Sequence, residues 1–236
     1  MAYSLQIDGG NHQNLITNLV TPDIPNWHAT DYFTLCARVR TAGAVTGLAS
    51  IVQLGHVPDG DDKAHNYILY LENTSSENRV RFRSTQADTN FTLTSTQGWA
   101  QTNTDWHTIV ATADRRSDNR RLRVSVDGAA MDVLEGPKFP NTERWFVRIG
   151  ASGVEHNTLQ GEVAEVALWN YFLGLGANLT RTLNSLAKGF SPRLIQPHGL
   201  IAHWPLIREL GSTTGGKYLL TAEHSPEVVR HPAVIG

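Results

Sequence analysis

Arginines alternate with apolar residues in the run Arg79-Val80-Arg81-Phe82-Arg83, a spacing that puts three guanidinium groups on one side of an extended strand. Planar guanidinium forks match carboxylates and phosphates. The trio is therefore a candidate site for an acidic glycan or an acidic protein neighbour. The competing reading is a solvated face whose arginines pair with local Asp and Glu. Arg115, Arg116, Arg120, Arg121 and Arg123 crowd a second place. Trp27, Trp99 and Trp145 fall at expected loops or strand ends, where an indole can stack on a sugar ring or anchor an interface. Trp106, Trp169 and Trp204 lie inside strand patterns and are expected in the core.

Other chemistry is sparse. Asp59, Asp61 and Asp62 share a turn, with Asn66 nearby, and are the candidate ligands for calcium, the one cofactor the residues suggest. Calcium takes about six to eight oxygens, and the spacing here is not that of an EF-hand loop. The alternative is a solvated turn whose Asp side chains cap local amides. Glu162 and Glu165 invite comparison with glycosidases, which set two carboxyl groups across a sugar bond. Residues three apart in a regular strand point to opposite faces, so these two share a cleft only across a bulge. The histidines show no zinc spacing, and neither a nucleophile elbow nor a phosphate-cradling glycine loop occurs. No catalytic residue is assigned, and a non-enzyme is expected. The single cysteine, Cys36, cannot form an internal disulfide and reads as a packing residue in a strand.

The elements that must carry these residues are mostly strands. Strand candidates recur at residues 3–8, 32–40, 48–54, 66–72, 79–84, 91–94, 106–113, 121–127, 145–149, 161–169 and 200–206, with clear period-two alternation in 121–127. Residues 115–121 should join two strands as a hairpin, with Asp127-Gly128 supplying the next turn. One helix is expected over 177–187, with Leu179, Leu183, Leu186 and Ala187 as its apolar stripe. Asn178 is its expected cap, and Gly189 and Pro192 its stop. Residues 207–236 read as a mostly irregular tail of a single domain, 1–236.

Such a series of short strands implies an all-β fold, an antiparallel two-sheet β-sandwich. With 40% hydrophobic and 18% charged residues, the chain can bury a sizeable core. A net charge of −2 excludes the general electrostatic attraction of a nucleic-acid binder. No run of about 18 apolar residues is present, so no membrane-spanning helix is expected. The first residues read as a strand, without a basic leader and apolar region, so no signal peptide is expected.

The segments Ser4-Leu-Gln-Ile-Asp-Gly, Phe33-Thr-Leu-Cys-Ala-Arg-Val, Trp106-His-Thr-Ile-Val-Ala-Thr with Leu122-Arg-Val-Ser-Val-Asp-Gly, and Gly161-Glu-Val-Ala-Glu-Val-Ala-Leu-Trp-Asn-Tyr-Phe-Leu resemble the concanavalin A-like jelly rolls. The likeness is to laminin-G-like and pentraxin-like domains and runs to about Leu206. It implies a recognition or attachment module, since the fold serves lectins, adhesion modules, enzymes and structural proteins. The cysteine partner that pentraxins place on the central hairpin is missing. Only Glu155 and Asn157 stand where pentraxins keep a calcium cluster, so that site is expected to be absent. Ala164 stands where the related hydrolases carry their middle acid. The second half, with Leu186-Ala-Lys-Gly-Phe-Ser-Pro and Gly199-Leu-Ile-Ala-His-Trp-Pro-Leu, resembles a subset of these domains often encoded by bacteriophages. This implies a virion surface protein, such as a head decoration, made in the host cytoplasm. Its expected partners are capsid or other virion proteins, further copies of itself and surface glycans, not nucleic acid or membrane. The alternatives are a lectin or adhesin, calcium-assisted or not, and a glycoside hydrolase.

Overall fold

A computed structural model describes residues 3–7, 14–17, 31–45, 47–56, 65–86, 89–116, 120–139, 146–150, 159–206, 221–223 and 227–230. Alternating segments become strands. In chain order they are β1 (Tyr3–Ile7), β2 (Asn14–Thr17), β3 (Tyr32–Thr41), β4 (Leu48–His56), β5 (His65–Asn73), β6 (Glu77–Gln86), β7 (Thr89–Ala100) and β8 (His107–Asp114). They continue as β9 (Arg121–Val126), β10 (Asp132–Glu135), β11 (Phe146–Ile149), β12 (Gly161–Trp169), β13 (Leu200–Trp204), β14 (Thr221–Glu223) and β15 (Glu227–Arg230). Two helices, α1 (Gly176–Ala187) and α2 (Pro192–Ile195), lie between β12 and β13.

The strands form two antiparallel sheets, as the alternation predicts. One has eight strands in the order β10-β9-β8-β3-β12-β1-β15, with β13 also pairing β12. The other has seven, in the order β14-β2-β11-β4-β5-β6-β7. Between them the inward residues of β3 (Phe33, Leu35, Ala37, Val39) meet those of β5 and β6 (Tyr67, Leu69, Leu71, Val80, Phe82). Phe33 bridges the sheets, with its ring centroid 4.6 Å from Tyr67 and 6.2 Å from Phe82. Full burial of each such ring is worth roughly 1.5–3 kcal/mol.

A second, smaller core lies on the outer side of the eight-stranded sheet. There Cys36, Val110, Ala167 and Trp169 meet Leu173, Leu183 and Leu186, which places α1 on that face. The helix begins earlier than expected. Its cap position is Leu175, without a side-chain cap bond, and Asn178 already lies inside the helix. Gly189 ends it with φ +89°, as Phe190 N donates to Ser185 O at 3.1 Å. The Asp127-Gly128 turn forms as read: both residues have positive φ, 50° and 79°, and Ala129 N donates to Val126 O at 3.0 Å. A Cβ on Gly128 would meet Asn184 Oδ1 at 2.8 Å, so glycine also lets the turn pass beneath α1.

Within the segment expected as a mostly irregular tail, β14 pairs β2 and β15 pairs β1, one strand in each sheet. One expectation is corrected. Trp106 is not in the core. It precedes β8, half-buried, with the Arg38 and Arg40 guanidiniums 6.0 and 5.5 Å from its ring centroid. Trp169 and Trp204 are fully buried.

Candidate functional site

Because Val80 and Phe82 point into the core, Arg79, Arg81 and Arg83 project from the opposite, outer face of the seven-stranded sheet. Register sets their neighbours on that face. Arg83 lies opposite Ile68, Arg81 opposite Tyr70 and Arg79 opposite Glu72. Ile68 in turn faces Gln53 of β4, which faces Arg148 of β11. On the other side Thr92 and Thr94 of β7 flank Arg83 and Arg81. The centre of this face (Gln53, Asn66, Ile68, Tyr70, Arg83) is buried, while its margins (Arg79, Arg81, Arg148, Thr92, Thr94) are half-exposed.

The three arginines differ. Arg81 holds Glu72 at 2.5 Å and Arg79 holds Glu77 at 3.2 Å, so local acids neutralise part of their charge. Arg83 is 8% exposed and lies over the Tyr70 ring, its guanidinium 5.5 Å from the centroid. Asn66 is buried, and neither of its amide atoms has a hydrogen-bond partner among the described residues. The groups this face presents to solvent are therefore the arginines and threonines of its margins, which suit the carboxylate and hydroxyls of an acidic sugar.

The other candidate residues are placed as follows. Trp99 sits near the end of β7 but is buried in the core, its indole stacked 4.1 Å from the His107 ring and Nε1 donating to Thr41 Oγ1 at 3.4 Å. It therefore offers no surface to a sugar. Trp27, Trp145, Asp59, Asp61 and Asp62 lie outside the described residues. Among the described residues no group of three His, Cys, Asp or Glu could hold a metal.

The two glutamates are not separated as a regular strand would separate them. Ala164 pairs Arg38 and Ala167 pairs Cys36, so β12 has one extra residue there, and Glu165 takes φ 51°. The resulting bulge brings Glu165 and Glu162 to the outer side of the eight-stranded sheet, away from the arginine face. Each is already held: Glu162 by Arg40, whose Nε donates at 3.0 Å, and Glu165 by His203, whose Nε2 lies at 2.8 Å. Glu165 and His203 are both buried.

Residues 11–175 match the model of the concanavalin A-like lectin/glucanases superfamily of laminin G type. The chain belongs to that family. No curated protein sequence matches it. Among solved structures, a heptameric SAP-like pentraxin from Limulus polyphemus is 14% identical with a TM-score of 0.65, over 98% of this chain and 96% of that one. The CBM40 of a Ruminococcus gnavus IT-sialidase is 15% identical with a TM-score of 0.57, over 78% of this chain and 96% of that one. Tailspike protein 2 of bacteriophage CBA120 is 12% identical with a TM-score of 0.58, over 86% of this chain and 29% of that one. At these identities the likeness is one of fold.

Within this lectin-like sandwich, reading the sequence found the arginines but missed Gln53, Asn66, Tyr70 and Arg148 as their neighbours. The signal was there: Asn66, Ile68, Tyr70 and Glu72 alternate with the core residues of β5. Only the register of β4, β5, β6 and β11 could bring the four strands' outer residues into one row.

Proposed function

We propose that the protein is a non-catalytic recognition module whose outer seven-stranded face binds an acidic glycan. The observation that carries this reading is the half-exposed set Arg79, Arg81 and Arg148 with Thr92 and Thr94, cationic and hydroxyl side chains on one outer face. The fold supports it, since the R. gnavus CBM40 structures include one bound to α2,3-sialyllactose. A glycan array should show signal on sialylated or uronic-acid glycans above their neutral counterparts. Arg81→Glu should weaken that binding about tenfold, the loss of one charge-assisted contact. A blank array, or undiminished binding by Arg81→Glu, would sink the reading, and release of sugar products would show an enzyme instead.

The setting we favour is a virion surface, where the sandwich displays this face and contacts shell proteins or other copies of itself. The fold likeness to a phage tailspike chain supports that setting. Mass spectrometry of purified particles should find the chain in fixed ratio to the shell subunit; absence from clean particles would exclude it.

A further inference from the structure

The strand order of the two sheets ends in β10 and β15 on one and in β14 and β7 on the other. Three of these four are short and charged, which blunts an edge. β10, β14 and β15 are three or four residues long and carry Asp132 and Glu135, Glu223, and Glu227 with Arg230. β7 is different. It runs for 12 residues, Thr89-Asn-Phe-Thr-Leu-Thr-Ser-Thr-Gln-Gly-Trp-Ala100, without a charge or a proline.

The second half of that edge is already closed. Arg79 pairs Gly98 and Arg81 pairs Thr94, so Val80 alone faces Ser95, Thr96 and Gln97, and β7 bulges. Val80 N donates to Ser95 Oγ at 3.1 Å, and Ser95 Oγ donates to Gln97 O at 2.7 Å. Asp132 of β10 ties the bulge down, its carboxylate accepting from Thr96 N at 2.8 Å and from Thr96 Oγ1 at 2.9 Å. The first half, residues 89–94, has no such device. It keeps an unbroken register with residues 81–86, and among the described residues no strand pairs its other side. Alternate residues of this stretch therefore turn backbone N–H and C=O groups outward.

The side chains of this stretch suit a second copy of the same strand. Leu93 is buried in the core between the sheets, so Phe91 shares its inner face, half-exposed, while Thr92 and Thr94 project to the outer one. Antiparallel pairing about a two-fold axis normal to the sheet sets hydroxyl beside hydroxyl and apolar beside apolar residue. Because the strand is uncharged, no like charges meet across the axis. The same axis keeps both outer faces on one side. The two Arg81 side chains, each held by its own Glu72, then lie three strand spacings apart. That is about 14 Å, beyond the roughly 8 Å screening length of physiological salt. The arginine rows join into one wider face without driving the copies apart.

We infer that residues 89–94 of β7 are a homodimer contact, pairing antiparallel with the same residues of a second copy so that two seven-stranded sheets become one. The contact is made by backbone groups and rests on neither the glycan reading nor the virion setting. Sedimentation equilibrium of the full chain should give twice 26.0 kDa at about 50 µM and fall toward 26.0 kDa on dilution. Over the same range, hydrogen exchange should find residues 89–94 protected in the dimer and open in the monomer. Thr92→Glu and Thr92→Lys should each raise the dimer Kd about tenfold or more, since either sign sets like charges together across the axis. Far-UV circular dichroism checks that both variants fold. Thr102→Lys, in the exposed turn beyond β7, should dimerise as the wild type does. A mass of 26.0 kDa at every concentration up to about 500 µM would overturn the inference. So would a dimer that both Thr92 variants leave intact, or one in which exchange at residues 89–94 ignores concentration. A response to only one sign of charge at Thr92 would also overturn it, because the edge would then face a charged partner and not its own copy.

Discussion

The Cys36 thiol faces Val110 on one side and Ala167 on the other, and burial pushes its pKa up to about 12, with Glu165 adding to the effect. A thiol so protonated is a poor nucleophile at neutral pH. Alkylation of the native protein at pH 8 should therefore proceed only at the rate of unfolding, and denaturant should make it immediate. Rapid native labelling would contradict the burial of Cys36. The same shift links pH to stability. The unfolded thiol ionises near its ordinary value, while the folded one keeps its proton. The stabilisation is complete below that ordinary value and is lost as pH rises toward about 12. Chemical denaturation of wild type and Cys36→Ala should accordingly converge in pH dependence below pH 8 and diverge above about pH 9, with wild type falling more steeply. Residue type alone made the packing role of Cys36 legible. For the arginines it was ambiguous, because pairing with Glu72 or Glu77 depends on strand register that no single residue reveals.

Strands, and the hairpin turn at Asp127-Gly128, could be read directly because alternation and positive-φ residues are local signals. The bulge in β12 could not. Its segment is buried along its whole length, so the sequence is nearly continuous in apolar residues and hides the shift of face at Glu165. The start of α1 was misplaced for a related reason: a cap without a side-chain bond leaves no residue signature. The bulge combines two opposed effects at Glu165, a left-handed backbone that disfavours a side chain and a buried bond to His203 that needs one. Glu165→Ala loses the bond and keeps the strain, whereas Glu165→Gly loses the bond but relaxes the backbone. Leaving a buried hydrogen-bonding group unsatisfied typically costs about 1–3 kcal/mol, and glycine should recover about 1 kcal/mol of it. Urea unfolding should rank wild type, Glu165→Gly and Glu165→Ala in falling stability; Ala equal to or above Gly would show that the left-handed backbone carries no strain. Under α1, Leu183→Ala should cost about 2–5 kcal/mol, because that side chain seals the smaller core over Trp169.

At the scale of the molecule, the two layers were legible but their closure was not. The last two strands are three and four residues long and lie in a stretch broken by Pro226 and Pro232, so the C-terminal segment reads as a mostly irregular tail although each of its strands completes an edge. In β15, four residues from Glu227 to Arg230 pair with β1, and in β14, three from Thr221 to Glu223 pair with β2. Without them, β1 and β2 would become the edges, each paired on one side only and open to pairing with another chain. Each lost backbone bond is worth roughly 0.5–1.5 kcal/mol net, so removing both strands should cost several kcal/mol, a large share of a typical domain's stability. A chain ending at Leu206 should thus unfold at lower urea and associate in size-exclusion chromatography, while one ending at Arg230 should match the full chain in both. The comparison is informative because the shorter chain keeps every described residue of the two hydrophobic cores and loses two described strands. An unchanged urea midpoint for the chain ending at Leu206 would mean that the sandwich closes without its last two strands, and that their pairing contributes little to the fold.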